Sequence, residues 1–214
     1  MRASLLHLMS SATMIVAVSL NPTKSLKQEL TDQAVIPTDV PKGYGLYIPE
    51  WEFQTPEGEN ITIKGTIQEV YATLGSLSPQ MAQMNGFDLE AISNIARSDV
   101  EKRAKFPRVD CQSLEEGHTD MYETTMEYLR RVPGKPKNSA GPRECGRVSC
   151  AWKSATWWCN DALEEKELSS FGEIADGVQV IYHECTDVDK HYWWSSGEAY
   201  TDDDWSVQFG YAPC

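Results

Sequence analysis

The stretch GEAYTDDDWSVQFGYAPC, residues 197–214, decides how this chain is read. Trp205, Val207, Phe209 and Tyr211 alternate with Ser206, Gln208 and Gly210, the period-2 pattern of a strand with one buried face. Gly197–Tyr200 is a shorter strand before it, and Thr201-Asp202-Asp203-Asp204 joins the two as a tight antiparallel turn. Cys214 follows the hairpin, and the other five cysteines, Cys111, Cys145, Cys150, Cys159 and Cys185, also lie beyond residue 110. An even cysteine set that begins abruptly in mid-chain marks a disulfide-framed module behind a different N-terminal region. Six cysteines allow 15 pairings. The expected arrangement has Cys185 tying its helix to the Cys150 or Cys159 strand and Cys214 stapling the final hairpin.

Upstream of that hairpin, Ser170-Phe171-Gly172-Glu173 reads as a capping box. It launches a helix with Ile174, Val178 and Ile181 on one stripe, ending near Cys185. Val148, Cys150 and Trp152 alternate as a strand, and Ala155–Cys159 carries Trp157-Trp158 into another buried segment. Asp120–Arg131 is helical, with Tyr122, Met126 and Leu129 on one face. The prolines and glycines over 133–136 and 140–142 break the chain between helix and strand.

The N-terminal region, residues 45–105, has its own pattern. Leu46–Phe53 is apolar and aromatic but holds Pro49, which splits it or confines it to an edge. After the Pro56-Glu57-Gly58 turn, Ile61 and Ile63 mark a second strand, so a hairpin is expected. Thr66-Ile67-Gln68-Glu69 is a capping box that starts a helix at Ile67. Residues 87–104 suit a further helix. Hairpin and helix, then the 106–214 cysteine module, predict an α+β fold: a small disulfide-stabilised sandwich with an antiparallel sheet.

Compartment follows from the start of the chain. One positive charge at Arg2, an apolar run over 5–18 and the small residues of Ala17-Val18-Ser19 fit a secretory signal peptide, residues 1–19, cut after Ser19. Residues 20–44 are polar and read as a loose leader. The expected protein is secreted and extracellular, in the oxidising setting where disulfides persist. A net charge of −13 repels phosphate backbones and anionic headgroups, which argues against nucleic acid or membrane as partner. No apolar run is long enough for a membrane span. Asn60-Ile61-Thr62 is an N-glycosylation sequon, whereas Pro22 blocks Asn21-Pro22-Thr23. Lys102-Arg103 is a dibasic pair at the junction of the two regions, where a kexin-type protease would release residues 20–103 as a pro-region.

Catalytic and cofactor motifs are thin. Neither H-E-x-x-H nor G-x-S-x-G occurs, and His183-Glu184-Cys185 lacks a second histidine for zinc. Asp187, Asp189, His191 and Glu198 imitate the spacing of a calcium loop, but Tyr192 stands where glycine is needed, so no metal and no cofactor is expected. Six tryptophans fall between Trp152 and Trp205, and at least half belong in the core. Tyr192-Trp193-Trp194, beside Ser195-Ser196-Gly197, is the best candidate for an exposed recognition loop, and Asp202, Asp203 and Asp204 are a second candidate contact.

Arg130-Arg131-Val132-Pro133-Gly134, Cys145-Gly146-Arg147-Val148-Ser149-Cys150, Trp157-Trp158-Cys159-Asn160-Asp161 and Ile174-Ala175-Asp176-Gly177 resemble a group of secreted fungal proteins of unassigned activity. Ile48-Pro49-Glu50-Trp51-Glu52 and Gly65–Val70 are similar to the same group, so the resemblance spans about residues 45–214. More loosely, the order of cysteine strand, helix and hairpin is similar to killer-toxin-like and necrosis-inducing effector domains. That resemblance implies an effector-like or toxin-like protein that binds a host or competitor protein or glycan, through Tyr192–Trp194 and the 201–204 turn. Two other readings stand beside it: a secreted hydrolase using Glu184 with Asp202 or Asp204, and a carbohydrate-binding module using exposed tryptophans.

Overall fold

The computed structural model describes residues 40–77, 106–186 and 193–214. The Ser19 cut, the helix expected over 87–104, Lys102-Arg103 and Tyr192 lie outside those residues.

In chain order the elements are β1 (Gly45–Tyr47), β2 (Glu50–Gln54), β3 (Asn60–Lys64), α1 (Ile67–Leu77), β4 (Arg108–Cys111), β5 (Gly117–His118) and α2 (Asp120–Arg131). They continue with β6 (Lys137–Asn138), β7 (Glu144–Ala151), β8 (Ser154–Asn160), β9 (Lys166–Glu167), α3 (Gly172–Cys185), β10 (Trp194–Ser195), β11 (Gly197–Tyr200) and β12 (Trp205–Tyr211). Six strands form the main sheet in the order β1-β7-β8-β12-β11-β4. It is antiparallel except at one edge, where β1 pairs parallel to β7. The fold is therefore α+β, as its sequence predicts, but the sheet is mixed.

Pro49 splits the first aromatic run into an edge strand of the main sheet and one strand of the β2–β3 hairpin. The hairpin and helices α1, α2 and α3 lie on one face of the sheet and share a core. Trp51, Phe53 and Ile63 from the hairpin, Val70 and Leu74 from α1, Tyr122 and Leu129 from α2, and Ile174, Val178 and Ile181 from α3 meet Val148, Trp158, Val207 and Phe209. Trp51 stacks on Phe171 with ring centroids 4.4 Å apart, and its Nε1 donates to Gly65 O at 2.8 Å. The N-terminal region is thus built into the core of the cysteine module. Gly177 lets α3 approach the sheet: a Cβ there would lie 2.5 Å from Val207 Cγ2.

Capping follows the sequence at α1 and departs from it at α3. At α1 the Glu69 carboxylate accepts from Thr66 N at 2.7 Å, and Glu69 N donates to Thr66 Oγ1 at 3.4 Å. At α3, Phe171 is the N-cap and it is Ser169, not Ser170, whose N and Oγ both donate to Glu173 Oε1. A hydroxyl one residue further back closes the same charge-assisted bond from outside the helix.

β7 departs from simple alternation. A register shift between Arg147 and Ser149 sends Val148 toward the helices and Cys150 to the opposite face. Gln68 of α1 fastens the irregularity by donating to Ser149 Oγ at 2.8 Å and accepting from Cys150 N at 3.0 Å. Trp152 is not a strand residue. With Lys153 it forms the β7–β8 turn, both at positive φ (52° and 59°), and it is 84% exposed.

The disulfides are Cys111–Cys185, Cys145–Cys159 and Cys150–Cys214, with no free cysteine. This corrects the expected pairing. Cys185 ties α3 to β4, not to the Cys150 or Cys159 strand, because α3 ends over the β4–β11 edge, where Gly197 leaves room for the Cys185 sulfur. Cys214 staples the end of the final hairpin, as expected, and its partner is Cys150 of β7. Cys145 and Cys159 stand directly opposite each other on neighbouring strands.

Candidate functional site

Two groups of side chains stand out, one just before the Gly197 end of β11 and one centred on Glu198 within it. The first is aromatic. β5 pairs with β10, placing His118 opposite Trp194 and Gly117 opposite Ser195. The His118 ring lies edge-on to Trp194 at 5.3 Å and tilted to Trp193 at 6.1 Å. Trp193 is 56% exposed and Trp194 45%. Ser195 anchors the pair below: its Oγ accepts from the Tyr122 hydroxyl and donates to Cys185 O. His118 N donates to Ser154 Oγ at 2.6 Å, which brings in the β7–β8 turn with Trp152, and Tyr211 is the register partner of Ser154. Trp193 and Trp194 thus flank His118, and the β7–β8 turn with Trp152 and the end of β12 with Tyr211 lie at the same end of the sheet. Large aromatics exposed at one end of a fold mark a candidate interaction surface. Glu115 and Asp120 are exposed beside them.

The second group lies on the sheet face away from the helices. Direct register partners share a face, so Arg147, Trp157, Gln208, Glu198 and Asp110 form a row across five strands. Glu198, only 8% exposed, is its centre. Its Oε1 accepts from Gln208 Nε2 at 2.5 Å, Ser206 Oγ at 3.3 Å and the Tyr44 hydroxyl at 3.4 Å. Tyr44 is also within hydrogen-bonding reach of Asp161, so two carboxylates flank one phenol. The Arg108 guanidinium lies 3.6 Å above the Tyr200 ring, and Tyr200 also bonds Glu198.

Electrostatics follow from that burial. Desolvation, reinforced by Glu198 and Asp161, holds the Tyr44 phenol far above its ordinary range. Burial, then the bond and charge of Glu198, does the same for Tyr200. Burial also raises the Asp161 carboxyl, with Tyr44 and Arg143 opposing the shift.

The structure separates the residues expected to act together. Trp193 and Trp194 precede Gly197 at one end of β11, while Asp202, Asp203 and Asp204 turn at the other, so they cannot form one patch. Glu184, at the C-terminal end of α3 beside Cys185, is likewise on the Gly197 side. Gly197 and Asp202 are five residue steps apart, roughly 16 Å at strand rise. That exceeds the spacing at which paired carboxylates do glycosidic chemistry. The 201–204 turn is internally bonded: Thr201 Oγ1 donates to Trp205 O and accepts from Asp203 N, and Lys166 Nζ donates to Asp203 O. Glu198 sits within β11, not in a cation loop, and among the described residues no group of three acidic, histidine or cysteine side chains is placed to hold a metal. Asn60 is exposed at the start of β3, where a glycan would meet solvent.

Sequence reading missed Trp152, His118 and Tyr211 at the aromatic end, and Tyr44, Asp161 and Arg108 around Glu198. A Trp-Lys pair carries no turn signal, so Trp152 reads as strand. Tyr44 and Glu198 are 154 residues apart, and only the sheet brings them together.

Among the described residues no helix is long and apolar enough to cross a membrane. Comparison with protein-family models, curated proteins and solved structures finds no match. Fold and sites together define a disulfide-braced α+β protein with an aromatic end and a buried polar centre.

Proposed function

We propose that this is a secreted, effector-like or toxin-like protein that acts by binding a host or competitor target, with no covalent chemistry. The observation that carries the reading is the aromatic end: Trp193 and Trp194 exposed against His118, with exposed Trp152 and Tyr211 at the same end of the sheet, on a frame braced by three disulfides. Exposed indoles on a rigid base supply binding energy at low entropic cost. The signal-peptide pattern of residues 1–19 and the resemblance to secreted fungal proteins support the same reading. The recognition surface is Trp193 and Trp194 with Trp152, and the 201–204 turn has no part in it.

The test is a tissue-infiltration or competitor-growth challenge with purified oxidised protein beside Trp193→Ala/Trp194→Ala and Trp152→Ala versions. Both variants should fold, since these side chains are exposed, and both should lose the effect. Equal effects of wild type and variants would reject the aromatic end as the binding surface. Glycosidase treatment of the secreted protein should increase its gel mobility through loss of a glycan at Asn60.

A further inference from the structure

We propose that the partner of the aromatic end is a cationic protein segment, one that lays arginine or lysine side chains on the exposed indoles; this rests on the reading of that end as the recognition surface. Trp193 and Trp194 are exposed, and carboxylates border them from two helices and from the segment before β5. Asp120, at the start of α2, has its Oδ2 3.5 Å from Nδ1 of His118, the ring that Trp193 and Trp194 flank. That end of α2 is pinned to the tryptophans, since Thr119 N donates to Trp193 O at 3.0 Å, and Glu123 is exposed in the same first turn. Glu115 is exposed where its O accepts from Tyr211 N at 2.7 Å. Glu184 is exposed next to Cys185, whose O accepts from Ser195 Oγ. Against these four carboxylates stands Lys153, exposed beside Trp152, with His118 and His183 adding charge only when protonated.

Indole faces and carboxylates attract the same kind of group. The face of an indole is the negative end of its quadrupole and draws a guanidinium or ammonium. A carboxylate at the rim steers that cation inward and pairs with it at the edge of the contact. The apolar stem of arginine or lysine covers a ring while its head reaches the rim. An anionic partner would meet repulsion from the rim and from a chain of net charge −13. A neutral glycan would stack on the indoles but leave the charges of the rim without counterparts. The carboxylates take on this meaning because they border exposed rings. The turn over Asp202, Asp203 and Asp204 is as acidic, but Trp152, Trp193, Trp194 and Tyr211 all lie at the other end of the sheet, so it serves as an internal control.

The experiment is isothermal titration of the full oxidised protein with a decapeptide that alternates arginine and glycine. The same peptide with serine or glutamate in place of arginine, and chitohexaose, are the comparison probes. The arginine peptide should bind, less tightly as salt is raised, and the other three should not. Glu115→Gln/Asp120→Asn should weaken it about fivefold, and Trp193→Ala/Trp194→Ala should abolish it. Asp202→Asn/Asp203→Asn removes the same number of charges at the far end and should bind as wild type. All of these side chains are exposed, and should the Glu115/Asp120 pair fail to fold, Glu115→Gln alone, outside any helix, decides. Silence of the arginine peptide overturns the proposal, as does binding that survives loss of the tryptophans. A loss shared equally by the rim and far-end variants overturns it too, being attraction to net charge alone, and binding of chitohexaose instead overturns it in favour of a glycan. In each case the aromatic end still stands as the recognition surface if the tissue or growth effect requires Trp193 and Trp194; an effect that does not require them sinks that underlying reading instead.

Discussion

Trp51 is fully buried, stacked on Phe171 and hydrogen-bonded to Gly65 O, so three parts of the chain meet on one indole. Trp51→Ala should cost about 3–5 kcal/mol in chemical denaturation, the range for emptying an aromatic core site. Asp161 gives a pH-dependent case. Burial raises its folded pKa, so its charged form is disfavoured in the native state. Stability is therefore lost as pH rises through that pKa. Asp161→Asn should raise the melting temperature at neutral pH, and the gain should shrink as wild type is brought below about pH 4, where the carboxyl is protonated in both states. A wild type that melts above the variant at pH 7 would contradict this.

At the scale of elements, the three disulfides differ in what they close. Cys111–Cys185 spans a sequence separation of 74 and joins α3 to an edge strand, whereas Cys145–Cys159 spans 14 and joins strands already paired in register. Loop-closure entropy favours the long loop, about 4 kcal/mol against about 3. Replacing Cys111 and Cys185 with serine should therefore lower the denaturation midpoint more than opening the short loop with the same pair of substitutions. At α1, Thr66→Ala removes half of a reciprocal cap and should cost about 1 kcal/mol. The capping box over 66–69, the aromatic face of α2 and the closing hairpin were all legible, because each repeats a period within a dozen residues. The β7 irregularity was not, since it depends on Gln68, 82 residues away from Cys150.

Across the whole molecule, the hairpin and α1 share one core with the cysteine module, and β1 completes its sheet. No disulfide joins the two regions. A chain cut after Lys102-Arg103 should therefore run as one species in native size-exclusion chromatography and as two on a denaturing non-reducing gel. Tyrosines set the alkaline limit. Tyr44, Tyr122 and Tyr200 are held well above the ordinary phenol value, chiefly by burial, and Tyr47 is pushed up to about 12. In the unfolded chain they ionise near pH 10. Stability is thus undiminished by them below about pH 10 and falls as pH rises further. Tyrosinate absorbance of these residues should appear together with loss of near-ultraviolet circular dichroism.

The sequence by itself determined the class of fold, the oxidised module after residue 110 and most element boundaries, because strand and helix periods are local properties of neighbouring residues. Only the tertiary structure decided which cysteines pair, which tryptophans face solvent and that Tyr44, Asp161 and Glu198 share a site. Those outcomes hang on strand order and register, which bring distant segments side by side and leave no periodic trace in any one of them.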